Sequence, residues 1–347
     1  MTKKTMMAVV KEAEGPGLAY KEVPVPVPGP GEALVKVLAA SVCGTDSLIH
    51  DWAPWAAARI KPPRIIGHEF AGEVVETGPG VAGVEPGQYV SAESHFFCGH
   101  CYQCRTGRQE VCRNVRIMGV DTDGSFAEYL VLPAANLWLN HPDIPHDVAS
   151  VQEPLGNAVD TVLAEDVSGK RVLITGAGPI GLMCVAVARA CGASKVMVSD
   201  PSEYRLELAK RMGADVVLNP KVSNISGPVL SATNGDGVDV LLEVSGSAKA
   251  FTEAITLVTA GGRVSLLGIF SKNVSVNLNY DVIFRKLRIY GITGRRVFNT
   301  WYTAGRLLLS KRLDLAPLIT HEMHLSEFEK GFELMRAGRC GKVVFKP

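Results

Sequence analysis

The segment RVLITGAGPIGLMCVAVARACGA, residues 171–193, decides the fold of this chain. An unbroken apolar run leads into Gly176, Gly178 and Gly181, which are spaced as G-x-G-x-x-G, and a helical pattern follows. In a strand-turn-helix unit the first glycine makes the tight turn, the second lets the backbone approach a pyrophosphate, and the third lets the helix pack close to the strand. The N-terminus of the helix then presents unpaired N–H groups to the anion. The segment therefore predicts a dinucleotide site.

An acidic residue, Asp200, ends the next strand candidate, where it can accept hydrogen bonds from the ribose hydroxyls of the adenosine. Its carboxylate would repel a 2′-phosphate, so the position favours NAD over NADP. Arg205 follows five residues later and can cover the ribose or the adenine, which leaves NADP open. The structural alternative is a glycine-rich packing turn, with Asp200 as an ordinary cap of the strand end.

The chain around this segment alternates apolar runs with helical stretches. Parallel strands that helices cover on both faces have near-continuous apolar sequences, so the pattern from about Val159 onward predicts a doubly wound parallel sheet in an α/β fold. The strand candidates are RVLIT (171–175), KVMVSD (195–200), DVVLN (215–219), VDVLLEV (238–244), RVSLLGI (263–269) and LRIYGIT (287–293).

Residues 1–158 have a different pattern. Pro and Gly interrupt short alternating runs such as HEFAGEVVETGPGV, which is typical of a β-rich barrel or sandwich. The tail from about residue 296 is again helical. A chain of 347 residues is longer than one hydrophobic core usually grows, so we expect two domains.

Composition limits the classes of partner. The chain has 36 basic and 35 acidic side chains, so no strong field favours nucleic acid or an anionic membrane, and the expected partners are small molecules and other subunits. The apolar stretch near the N-terminus is far too short for a secretory signal. The most apolar run, residues 180–188, falls well short of the ~20 residues that a membrane span needs. We therefore expect a soluble, cytoplasmic protein.

Four of the eight cysteines lie in FFCGHCYQCRTGRQEVCRN, residues 96–114. In a reducing compartment, clustered cysteines are more often metal ligands than disulfides. Four thiolates at this spacing fit a tetrahedral zinc site, which would be structural because no coordination position stays open. An iron–sulfur cluster and two disulfides are the alternatives, although the bacterial ferredoxin run has a shorter last spacing followed by proline. The four residues are Cys98, Cys101, Cys104 and Cys112.

A second metal site is the candidate for the chemistry. CGTD places Cys43 just after a strand, GHE supplies His68 and Glu69, and QEP adds Glu153 at the expected domain junction. One thiolate, one imidazole and one carboxylate can bind zinc and leave a position for substrate. No spacing rule links residues this far apart, and a single cysteine or histidine is more often a structural residue.

Taken together, GHEFAGEVVETGPGV, the four-cysteine segment, the glycine motif and the C-terminal segment resemble the zinc-containing medium-chain dehydrogenases over essentially the whole chain. The resemblance implies a GroES-like catalytic domain at residues 1–158 and 296–347 and a Rossmann NAD-binding domain at residues 159–295, assembled as a homotetramer. It also implies NAD, one catalytic zinc and one structural zinc as cofactors. The segments CGTD, WAPWAAARIKPP, GVDTDGSFAEY and QEPLGNAVDTV are most similar to members that oxidise the β-hydroxyl of L-threonine to 2-amino-3-oxobutyrate.

The resemblance also implies roles for single residues. Cys43, His68 and Glu69 match the catalytic zinc ligands. Glu153 matches a carboxylate that ligates transiently or assists proton transfer. His95 matches a histidine associated with threonine selection, and its structural alternative is a hydrogen bond to a backbone carbonyl. The residues that match cofactor contacts are Ile180, Asp200, Arg205, Leu267, Ile292 and Thr293.

One position departs from the family pattern. The family passes a proton through a Thr or Ser, the ribose hydroxyl and a His five residues after the ligand cysteine. Thr45 is present, but the fifth position is Leu48, and His50 lies two residues beyond it. We hypothesise that the relay ends in water or at His50. Rival functions are a polyol or secondary-alcohol dehydrogenase on the same scaffold and a non-catalytic NAD-binding protein.

Overall fold

The computed structural model describes residues 4–347, and its strands and helices are numbered here in chain order. The strands are β1 (Thr5–Lys11), β2 (Ala19–Pro24), β3 (Glu32–Ser41), β4 (Arg64–Ile65), β5 (Glu69–Thr77), β6 (Tyr89–Ala92), β7 (His95–Phe96), β8 (Arg116–Ile117), β9 (Tyr129–Pro133), β10 (Leu137–Leu139), β11 (Arg171–Thr175), β12 (Lys195–Ser199), β13 (Val216–Leu218), β14 (Val238–Glu243), β15 (Val258–Leu266), β16 (Arg288–Gly291), β17 (Ile319–His324) and β18 (Lys342–Lys346). The helices are α1 (Gly44–His50), α2 (Pro54–Arg59), α3 (Tyr102–Arg105), α4 (His146–Ser150), α5 (Gln152–Val162), α6 (Pro179–Ala190), α7 (Glu203–Arg211), α8 (Ser226–Ala232), α9 (Ala248–Ala254), α10 (Asn299–Leu309) and α11 (Phe328–Arg336).

The described chain divides into two compact units. The first takes in the described residues up to Pro154, together with Arg296–Gly305 and Ile319–Pro347, and the second consists of Leu155–Arg295 and Arg306–Leu318. We propose that the first unit is the catalytic domain and the second the cofactor-binding domain expected from the sequence.

In the first unit a mixed sheet has the strand order β10-β6-β5-β3-β18-β17, with β9 also beside β3. Side chains from several of its strands fill one core, which includes Val35, Phe70 and Phe345. Two small sheets accompany it, with the orders β2-β1-β4 and β7-β8. The predicted β-rich domain is confirmed.

The second unit contains a parallel sheet in the order β13-β12-β11-β14-β15-β16, which confirms the predicted doubly wound arrangement. The central strand β11 covers the predicted residues 171–175, and its apolar side chains are buried because helices cover such a sheet on both faces. Since all these strands are parallel, their carboxyl ends meet at one edge. The glycine motif leaves β11 at this edge, where the strand order reverses.

One C-terminal segment lies outside the unit that the sequence suggested for it. Residues 306–318 were expected with the catalytic domain, but the second unit contains them. Leu313, Leu315 and Leu318 are buried there, and the 3₁₀ turn Ala316–Leu318 packs on α6 and α7. Apolar burial explains this placement. Among residues 4–347, no helix combines the length and apolar composition that crossing a bilayer requires.

Candidate functional site

Three side chains that are far apart in the sequence meet at the ends of two neighbouring strands in the first unit. The ligand atoms of Cys43, His68 and Glu69 all lie within 4.8 Å of one another. The strand register explains this meeting, because Ser41 at the end of β3 pairs with Glu69 at the start of β5. Cys43 follows two residues later as the N-cap of α1. The structure thus brings the three predicted ligands together.

Asp46 links the backbone and the imidazole of this cluster. Its Oδ2 accepts a hydrogen bond from the N–H of Cys43 at 2.8 Å, and its Oδ1 lies 3.6 Å from Nδ1 of His68. Burial alone would lower the pKa of His68, but the negative charges of Cys43 and Asp46 outweigh burial and hold that pKa well above its ordinary value. The site therefore favours positive charge. Asp46 was not predicted from the sequence, although its position three residues after Cys43 is the spacing of a capping box.

Glu69 is held through one of its two oxygens. Oε2 accepts hydrogen bonds from the hydroxyl of Ser41 and the ammonium of Lys342, whereas Oε1 is buried and has no hydrogen-bond partner within residues 4–347. The Lys342 ammonium also donates to the carbonyl of Val42 at 2.9 Å. Burial alone would lower the pKa of Lys342, but the charges of Glu69 and Cys43 raise it, so the side chain is a cation.

The donor set of this cluster suits zinc. Catalytic zinc sites use three protein ligands drawn from thiolate, imidazole and carboxylate, and they keep a further position open. A buried acceptor without a donor costs about 1–3 kcal/mol, so Oε1 of Glu69 is best explained as an atom that faces a cation. Ser41 and Lys342 were not predicted from the sequence, because a single serine or lysine in a strand belongs to no recognisable motif.

The other predicted catalytic residues also lie in the first unit. Oγ1 of Thr45 is 3.8 Å from Sγ of Cys43. Glu153, in the first turn of α5, is buried and accepts a hydrogen bond from the hydroxyl of Ser94 at 2.5 Å. His95 follows Ser94 and begins β7. Their catalytic roles stay predictions.

His50 ends α1 with both ring nitrogens facing carboxylates. Nδ1 lies 2.7 Å from Oδ1 of Asp51, and Nε2 lies 3.1 Å from Oε2 of Glu329 on α11. The ring also contacts that of Phe332, with 5.3 Å between the centroids. Leu48, at the position where the family has histidine, is 47% exposed. A relay that ends at His50 stays a prediction, and in this arrangement the imidazole joins α1 to α11.

The four cysteines of the predicted structural site form a compact cluster. Their sulfurs all lie within 4.8 Å of one another, and three of the pairs are 3.5 to 3.8 Å apart. Tetrahedral zinc with Zn–S bonds of about 2.3 Å sets sulfurs about 3.8 Å apart, whereas a disulfide needs about 2.05 Å. The backbone N–H of His100 is the main cause that lowers the pKa of Cys98 to about 5. The cluster fits a metal ion, and no two cysteines of the described residues form a disulfide.

The glycine motif forms the turn between β11 and α6 in the second unit. Gly176 has a φ of +96°, a conformation that other residues rarely adopt. A Cβ added at Gly181 would lie 1.9 Å from the carbonyl oxygen of Gly176, so the helix packs this close only with glycine. A Cβ added at Gly178 would meet nothing within 4 Å among the described residues. The space in front of Gly178, the N-cap of α6, can therefore take a pyrophosphate.

A cavity of about 380 Å³ is lined in part by this turn. Asp200 also lines it and braces the turn, because its Oδ2 accepts a hydrogen bond from the N–H of Ala177 at 2.8 Å. Its Oδ1 accepts another from the N–H of Ser202 at 2.8 Å. Arg205 and Lys221 add positive charge to the lining. The cavity suits the adenosine half of a dinucleotide.

The remaining predicted cofactor residues lie at the ends of the elements that surround this edge of the sheet. Leu267 follows β15, Ile292 and Thr293 follow β16, and Ile180 lies in the first turn of α6. Ligands of doubly wound sheets bind outside the carboxyl ends of the strands. The sequence analysis missed Glu243, which ends β14 and accepts backbone hydrogen bonds of 2.7 and 2.8 Å from the turn that follows. An acidic residue at a strand end, as with Asp200, was the available signal.

Two family models match the chain. The alcohol dehydrogenase GroES-like domain matches residues 29–143, and the zinc-binding dehydrogenase model matches residues 179–310.

Known proteins similar to this chain cover almost all of it. The L-threonine 3-dehydrogenase of Pyrococcus horikoshii is 57% identical over 341 residues, which are 98% of this chain and 98% of that protein. A short chain alcohol dehydrogenase from Escherichia coli CFT073, solved with NADH, has a TM-score of 0.91 and 29% identity, covering 99% of this chain and 100% of its own. A zinc-binding dehydrogenase from Sinorhizobium meliloti 1021, solved with NADP, has a TM-score of 0.91 and 31% identity with the same coverage.

Proposed function

The chain belongs to the zinc-dependent medium-chain dehydrogenases, and on that premise we propose that it oxidises the β-hydroxyl of L-threonine to 2-amino-3-oxobutyrate with transfer of hydride to NAD. The observation that carries this proposal is the 57% identity to a full-length L-threonine 3-dehydrogenase. It is supported by the thiolate, imidazole and carboxylate cluster in one unit and by the glycine turn in the other.

Three residues of the first unit would hold the catalytic zinc, namely Cys43, His68 and Glu69. When bound, zinc lowers the pKa of an oxygen ligand, as it lowers that of water to about 7, and NAD accepts the hydride. Thr45, beside Cys43, would relay the hydroxyl proton towards the ribose hydroxyl of NAD. Glu153, which accepts a hydrogen bond from Ser94, would ligate the zinc transiently or assist proton transfer. His95 would contribute to the selection of threonine.

We propose NAD rather than NADP as the physiological cofactor. Asp200 lines the adenosine cavity with a negative charge, which disfavours a 2′-phosphate. The glycine turn and the ends of β15 and β16 would hold the rest of the dinucleotide. We also propose two zinc ions per chain, one in the three-ligand cluster and one in the four-cysteine cluster.

We propose a homotetramer that works in the cytoplasm. The second unit exposes an apolar face next to the edge strand β16, and such faces in soluble proteins mark subunit contacts. The face consists of Leu278, Tyr280, Ile283, Phe284 and Ile289. Eight cysteines that form no disulfide among the described residues agree with a reducing compartment.

The activity is tested by measuring NAD reduction with L-threonine, sorbitol and 2,3-butanediol on one preparation whose zinc content is measured in parallel. We expect the highest kcat/KM with L-threonine and two zinc ions per chain. A higher kcat/KM with a polyol or diol would identify the rival dehydrogenase. Binding of NAD without substrate-dependent NADH formation in zinc-loaded protein would identify the non-catalytic rival.

A further inference from the structure

Lys342 is a fully charged side chain buried behind the three-ligand cluster. It is 2% exposed, lies on the C-terminal strand β18, and its ammonium contacts Oε2 of Glu69 and the carbonyl of Val42. Val42 precedes Cys43 and Glu69 follows His68, so Lys342 contacts both segments that carry the three proposed metal ligands. None of the roles proposed above uses this cation.

The two oxygens of Glu69 have different surroundings. Ser41 and Lys342 both donate to Oε2, and they leave Oε1 as the oxygen without a donor in the described part of the chain. A carboxylate can bind a metal through one oxygen or through both. With Oε2 engaged by a hydroxyl and an ammonium, Oε1 is the atom of Glu69 that remains for an ion.

Binding through Oε1 alone matters because a catalytic zinc needs an open coordination position. If Glu69 bound through both oxygens, the second oxygen would occupy space at the metal that the substrate hydroxyl needs.

We propose that Lys342 is a positioning residue that restricts Glu69 to a single ligand oxygen and thereby keeps a coordination position of the catalytic metal open for substrate. This inference rests on the proposed function of the cluster. The structural alternative is a buried ion pair that only stabilises the sheet. Such a pair can often be replaced by apolar residues at little cost, and it would not affect metal coordination.

Cobalt(II) in place of zinc provides a test that does not depend on turnover. The visible absorption of cobalt(II) is intense with four ligands and weaker with five. The visible absorption of cobalt-loaded Lys342→Met should therefore be weaker than that of the wild-type protein. Lys342→Arg, which keeps the charge, should retain the wild-type absorption. A cobalt-loaded Cys43→Ala variant supplies the spectrum of the four-cysteine site for subtraction.

Imidazole serves as a probe of the open position. We expect Lys342→Met to bind imidazole roughly 10–100-fold more weakly, the usual size of effects from residues that orient metal ligands. The matched control is Lys346→Met, which removes the same charge from the same strand but from an exposed ion pair with Glu322. This control should leave the cobalt spectrum and the imidazole Kd unchanged.

The inference is overturned if Lys342→Met keeps the spectrum and the imidazole Kd of the original protein. If Lys342→Met does not fold, Ser41→Ala removes the other donor to Oε2, and it should reduce the intensity in the same direction. An unchanged spectrum of Ser41→Ala would then overturn the inference. Because cobalt coordination is measured without substrate, a failure of this inference is distinct from a failure of the threonine activity.

Discussion

Asp46 orients two proposed metal ligands at once, since its carboxylate contacts the N–H of Cys43 and approaches Nδ1 of His68. Residues in this position usually change metal affinity 10–100-fold when they are replaced. We expect Asp46→Asn to weaken zinc binding in the three-ligand cluster by roughly that factor, because a neutral amide no longer favours the same imidazole orientation. Competition with a chelator, followed by zinc analysis, measures the effect.

The matched control is Asp51→Asn, which removes the same charge at the other end of α1, where the side chain is 48% exposed. Zinc retention should be the same in this variant as in the original protein. Equal zinc retention in Asp46→Asn would show that Asp46 has no part in holding the metal.

Asp200 is the residue proposed to select NAD over NADP, and it also accepts a hydrogen bond from the glycine turn. We expect Asp200→Ala to reduce kcat/KM for NAD roughly 10–100-fold, because a hydrogen bond to a charged group contributes about 1.5–3 kcal/mol. The ratio of kcat/KM for NADP to that for NAD should rise, since the repulsion of the 2′-phosphate is gone.

Asp200→Asn separates these two effects, because its amide oxygen can still accept from the N–H of Ala177. It should shift the cofactor ratio in the same direction with a smaller loss of NAD activity. Steady-state kinetics with NAD and NADP measure this ratio. If the ratio of kcat/KM for NADP to that for NAD is unchanged in both variants, Asp200 does not select the cofactor.

In the turn between β11 and α6, Gly181 has no room for a side chain, whereas Gly178 faces open space. Gly181 faces the carbonyl of Gly176, and a methyl group there would lie 1.9 Å from that oxygen. We expect Gly181→Ala to lower the free energy of unfolding by about 1–3 kcal/mol, the usual cost of overpacking. Urea unfolding measures it.

Gly178→Ala is the matched variant, because its methyl group would enter open space. The free energy of unfolding should change little, but the affinity for NAD should fall as the methyl group takes the place of the pyrophosphate. If Gly178→Ala bound NAD as well as the original protein, the dinucleotide would not approach this turn.

The exposed apolar face of the second unit is the proposed contact between subunits. Phe284 belongs to this face and is 71% exposed. We expect Phe284→Glu to lower the mass of the assembly, because a buried charge in a subunit contact costs more than the contact supplies. Light scattering after size-exclusion chromatography measures the mass.

Val222→Glu provides the control, since Val222 is 78% exposed and lies outside that face. Its mass should equal that of the original protein. A full-sized assembly for Phe284→Glu would place the subunit contact elsewhere.

Local spacing was enough to predict a glycine turn and a compact cysteine cluster, because each comes from one continuous segment. The glycines at 176, 178 and 181 lie within one turn, and the four clustered cysteines lie within fifteen residues. The apolar runs likewise identified each strand of the parallel sheet, most clearly β11, β12 and β14, which are buried.

The tertiary structure alone decided the three-ligand cluster and its supports. Cys43 and Glu69 meet because β3 and β5 pair in a register that places Ser41 opposite Glu69, and register is a property of two strands together. Lys342 reaches Glu69 only because β18 pairs with β3 across almost the whole length of the chain. Pairings between distant segments leave no periodic signal in a single sequence, so the resemblance to a family could suggest the ligands, whereas the lysine behind them became visible only in the folded chain.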